Sequence, residues 1–95
     1  MFTHIVLFKL KDVATTEETI EVLRSLEGNV PTLRGIEVGQ DVLRSARSYD
    51  VALVTRFGSL ADMEAYQAHP FHQGVLAYMR GVVESSVAVD FEPVH

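Results

Sequence analysis

The stretch FTHIVLFKLK, Phe2 to Lys11, alternates along its whole length. Phe2, His4, Val6, Phe8 and Leu10 fall on one side, and Thr3, Ile5, Leu7, Lys9 and Lys11 on the other. A period of two in β-branched and aromatic residues predicts a strand. Both sides are apolar at the centre, Val6 and Phe8 against Ile5 and Leu7, so both faces of its sheet need cover.

Working outward, Thr15 stands three residues before Glu18, the spacing of a capping box, and the pattern turns helical. Ile20, Val22, Leu23 and Leu26 form its apolar stripe, which Gly28 and Pro31 bring to an end. Alternation returns from about Leu33 to Leu43, broken by Gly39, which suggests a bulge or a close backbone approach. The polar stretch RSARSYD, Arg44 to Asp50, reads as a turn before a strand over about Tyr49 to Phe57. Ser59 with Asp62 opens a helix carrying Leu60, Met63 and Tyr66. His69-Pro70 breaks it, and Pro70 suits the first position of a new helix. Val75, Leu76, Met79, Val82 and Val83 give that helix its buried face, with Gly74 and Gly81 placed for close packing. A last strand runs from Val87 to Glu92.

The order β-α-β-β-α-β predicts an α+β, ferredoxin-like fold: an antiparallel sheet with helices on one face. The helices leave Ile5, Leu7, Val87, Val89 and Phe91 on the other face. Apolar surface of that extent calls for a partner, and the same face of a second copy is the simplest one. The expected assembly is a homodimer.

Composition bounds the function. Ninety-five residues make a single domain, 1–95. With 47% hydrophobic and 22% charged residues, disorder is excluded. A net charge of −5 argues against a nucleic-acid partner. The absence of cysteine removes disulfides, thiolate metal sites and cysteine nucleophiles. The N-terminus lacks the basic region of a signal peptide, and no apolar run reaches the roughly 20 residues that span a bilayer. No membrane association and a cytoplasmic location are expected.

Three polar residues stand out. His4 interrupts an apolar strand face, where an unbonded imidazole costs roughly 1–3 kcal/mol. It is either a core histidine satisfied by a neighbour or part of a site. His72 lies in the first turn after Pro70, where the helix dipole disfavours an imidazolium and leaves a neutral ring able to act as a base. From position alone, a surface residue at the helix start is the favoured reading. Asp90 sits between Val89 and Phe91. If those two face the partner, Asp90 shares the helix-facing side with His4, and a carboxylate there fixes an imidazole's tautomer. His69 and His72 lack the spacing of a zinc site, and neither a phosphate loop nor a nucleophile elbow is present.

HIVLFKLKD at the start, AYQAHPFHQ in the second helical unit and VAVDFE at the end resemble the stress-responsive dimeric α/β-barrel (Dabb) family. The resemblance runs from Phe2 to about Glu92. It implies two ferredoxin-like chains whose sheets pair as a dimeric α/β barrel. A plant branch of that family contains polyketide cyclases that close an aromatic ring by aldol condensation, without metal or cofactor. His4, Tyr66, His72 and Asp90 match the working residues of that branch, which line a cavity between sheet and helices. The cyclases also carry a pocket tyrosine on the first helix, where this chain offers Leu23 and Leu26.

The expectation is therefore a small, largely apolar ligand, with no cofactor and no metal. His4 and His72 would be the catalytic candidates, supported by Tyr66 and Asp90. Val6, Phe8, Leu23, Leu53 and Tyr66 would line the ligand. A cofactor-free cyclase, lyase or isomerase, and a structural stress protein without a ligand, are the alternatives.

Overall fold

In the computed structural model β1 (Phe2–Leu10) is an inner strand, antiparallel to β3 (Val51–Phe57) on one side and β4 (Val83–Phe91) on the other. The structure describes residues 1–94; His95, the end of the expected domain, lies outside the described residues. A 3-10 turn (Val13–Thr15) and α1 (Thr16–Arg24) follow β1, and β2 (Gly35–Gln40) pairs with β3. Between β3 and β4 come α2 (Leu60–Ala68) and α3 (Pro70–Val82). The strand order β2-β3-β1-β4 is that of the ferredoxin-like fold.

The expected barrel is not what forms. The sheet is open: β2 pairs only with β3, and β4 only with β1, which leaves two edges. Strands must tilt and stagger around a ring of about eight to close, and four strands make a twisted ribbon instead.

Register settles the two faces. Val6 lies opposite Leu53 and Ala88, so the even positions of β1, the odd positions of β3 and the even positions of β4 share a face. That face carries Phe2, Phe8, Leu10, Val51, Leu53 and Phe57, buried under Leu23, Leu26, Met63, Tyr66, Val75 and Met79. Ile5, Leu7, Val87, Val89 and Phe91 lie on the other, with Val87, Val89 and Phe91 exposed to 47%, 53% and 40%.

Several local expectations need correction. Thr15 makes no side-chain cap; Asp12 caps one turn earlier, accepting from the Ala14 amide, so the chain enters α1 through the 3-10 turn. Gly39 pairs in regular register with Ala52, and a Cβ there would meet nothing. The irregularity lies between Lys9 and Leu10, against β4. Gly74 and Gly81 also face open space, so neither permits a close approach. Val83 leaves the helix: at φ −89° and ψ 127° it is already extended and opens β4 without a loop. Gly28, at φ +79°, does take the left-handed conformation that glycine tolerates, in the turns after α1.

The Ser59 cap on the Asp62 amide and the break at Pro70 form as expected. The break decides the site, because it turns the chain between Tyr66 and His72.

Candidate functional site

A cavity of about 410 Å³ lies between the helix-facing side of β1 and β4 and the helices. Val6, Phe8, Leu23 and Leu53, the expected apolar walls, all line it, together with Leu26, Val75, Leu76 and Met79. His4, Tyr66 and His72 supply polar groups. Another hollow, about 370 Å³, lies beside Tyr49 and Leu7 and holds none of the expected site residues.

β1 carries His4 into the cavity from the sheet. Its partner on β4 is Asp90, directly opposite in register, and the His4 Nδ1–H donates to Asp90 Oδ1. A carboxylate oxygen only accepts, so Nδ1 carries the hydrogen. The Asp90 side chain is 40% exposed against 12% for His4, so the carboxylate end of the pair is open to solvent. The exposed edge position of β4 is the reason, since helices cover only its inner neighbours.

His72 enters from α3. Its Nδ1–H donates to the Gln67 carbonyl at 3.0 Å, and Nε2 is the basic nitrogen. Burial lowers its pKa, and the neighbouring His4 adds to the shift, while the Gln67 carbonyl opposes it. The helix-dipole argument pointed the same way, but desolvation is the larger cause.

Tyr66 projects from α2 between Phe57 and His72, with ring centroids 4.9 Å and 4.3 Å away. It is almost fully buried, and its hydroxyl has no hydrogen-bond partner among the described residues. Burial holds its pKa well above the usual tyrosine value. An unpartnered buried hydroxyl costs about 1–3 kcal/mol.

Gln67, Gln73 and Ser86 also line the cavity. Sequence reasoning missed them. Ser86 shares the parity of Asp90, and a β4 started at Val83 instead of Val87 would have exposed it. Gln67 and Gln73 flank the helix break that the sequence does announce. Among the described residues, no three His, Cys, Asp or Glu side chains converge as metal ligands, and no helix is long and apolar enough to cross a membrane.

A protein-family model, the Stress Responsive A/B Barrel Domain, matches residues 2–93. An uncharacterized protein of Streptomyces coelicolor is 31% identical over 85 residues, covering 84% of this chain and 88% of its own. A dimeric ferredoxin-like protein of unknown function from Thermobifida fusca superposes with a TM-score of 0.85 at 32% identity, over 97% of this chain and 90% of that one. A dimeric protein of unknown function and ferredoxin-like fold from Bacteroides fragilis gives the same TM-score at 29% identity, over 97% and 95%.

Proposed function

This chain belongs to the Stress Responsive A/B Barrel Domain family, and on that footing we propose that it binds a small, largely apolar ligand between sheet and helices. The cavity itself carries the reading: about 410 Å³ between sheet and helices, walled by Val6, Phe8, Leu23 and Leu53, with the His4 and His72 rings among its lining. The Nε2 lone pair of His72 suits a ligand donor, the usual pattern of an apolar pocket with a few directed polar groups. Prodan, a fluorescent aromatic ketone, tests this. Saturable binding with a blue-shifted emission is expected. Absence of saturable binding would overturn the reading.

Acid–base catalysis is a second reading, and the lowered pKa of His72 favours it. A neutral imidazole with Nε2 free is a general base near neutral pH. Such an enzyme loses turnover in His72→Gln while retaining ligand, whereas a binder loses affinity.

The assembly we propose is a homodimer in which the free faces of two open sheets pack together, burying Ile5, Leu7, Val87, Val89 and Phe91. The exposure of three of these in a single chain supports it, as do the dimeric relatives. Sedimentation at micromolar concentration should give twice the monomer mass; a monomer would remove the proposal.

A further inference from the structure

The break between α2 and α3 does more than turn the chain. In an unbroken helix the Phe71 amide would donate to the Gln67 carbonyl, four residues back. Here the Phe71 N–H donates instead to Nδ1 of His69, at 3.1 Å. The Gln67 carbonyl is thereby left to two side chains, His72 Nδ1 at 3.0 Å and Gln73 Nε2 at 2.6 Å. The backbone of His69 completes the junction, its N–H donating to the Tyr66 carbonyl and its carbonyl accepting from the Gln73 amide.

We propose that His69 is a positioning residue for His72: by capturing the Phe71 amide it keeps the Gln67 carbonyl free to hold His72 Nδ1–H, and so presents Nε2 as the basic nitrogen. This deepens the cavity reading above and rests on it only for its functional meaning. The chemistry requires His69 Nδ1 to be an acceptor, unprotonated, while His72 Nδ1 is a donor. Two histidines three residues apart therefore hold opposite tautomers, each set by one backbone group. Pro70 alone would break the helix, since it lacks an amide hydrogen, but would not decide where the Phe71 amide goes. Asparagine and serine are ordinary helix caps whose side-chain oxygen accepts from the same amide, so either can replace this function of His69.

Long-range ¹H–¹⁵N NMR of the imidazole nitrogens at about pH 8, where the rings are neutral, reads the tautomers directly. In the wild type, His69 should show Nδ1 unprotonated and His72 Nδ1 protonated. In His69→Ala the Phe71 amide is free to compete for the Gln67 carbonyl, and the His72 signals should shift towards the Nε2–H form that an unconstrained histidine side chain prefers. His69→Asn should restore the Nδ1–H form. An unchanged His72 tautomer in His69→Ala, or a wild-type His69 protonated at Nδ1, would overturn the proposal. Should His69→Ala fail to fold, the wild-type His69 tautomer and the His69→Asn spectrum still decide it. The readout needs no ligand. Failure of Prodan to bind therefore overturns the cavity's function, and the tautomers separately decide the role of His69.

Discussion

Asp50 and Asp90 each hold one end of β1 by a side-chain bond, Asp50 at the Leu10 amide and Asp90 at the His4 ring. Asp50 is 4% exposed, accepts from Leu10 at 2.7 Å, and takes Arg44 on its other oxygen at 2.7 Å. Its backbone joins in, the amide donating to the Phe8 carbonyl and the carbonyl accepting from Asp41. The Leu10 bond lowers its pKa against the cost of burial, and Arg44 assists. Asp90 has one histidine and half its surface in water. The first carboxylate fastens the β2–β3 loop to the irregular end of β1. The second orients a ring in a cavity. The difference between them is burial, because a carboxylate sealed among fixed donors is structural, whereas one open to solvent contributes little stability and is free to tune a neighbour.

Asp50→Ala breaks this contrast most severely. It strips a buried amide of a charged acceptor, and urea unfolding should show a loss of about 2 kcal/mol. Arg44 is exposed and adds nothing to that figure. Asp50→Asn retains an acceptor for Leu10 and should lose less.

Acid separates the regions next. His72 has a lowered pKa, so its neutral form favours the fold: the contribution is present above its ordinary 6.5 and lost as pH falls through the lower folded value. Asp50, also lowered, contributes above 3.8 and is lost below it. Melting temperature against pH should therefore fall in two stages. His72→Gln should remove the first and leave the second; a single stage unaffected by that change would contradict the assignment.

Asp90→Asn should be the mildest of the set. The carbonyl oxygen still accepts from His4, the carboxylate end of the pair is open to solvent, and the stability change should stay under about 1 kcal/mol. A loss as large as that of Asp50→Ala would show that the two carboxylates do not differ in kind.

The same contrast marks how far the sequence could be read. The alternation of β1 separates the faces without ambiguity, and counting by two along VAVDF puts Asp90 on the side of His4, where register places it. Periodicity in β-strands is binary, so parity survives errors in strand length. Asp50 had no such signal. It closes a polar loop, and its bond to Leu10 joins residues 40 apart, which no local pattern encodes. The helix cap fell to Asp12 over Thr15 because two hydroxyls and a carboxylate compete within five residues. The family resemblance carried a barrel that four strands of one chain do not form, since closure depends on strand number and stagger, not on motifs. His69-Pro70 was legible as a break, but the exchange of acceptors around Gln67 was not.

Methyl ¹H–¹³C spectra recorded while Prodan is added test the central claim most directly, that the helix-covered face of the sheet holds a ligand. The account predicts saturable shifts at Val6, Leu23, Leu26, Leu53, Val75 and Met79, with Ile5, Leu7, Val87 and Val89 unmoved. Shifts confined to the second group, or none at saturation, would contradict it.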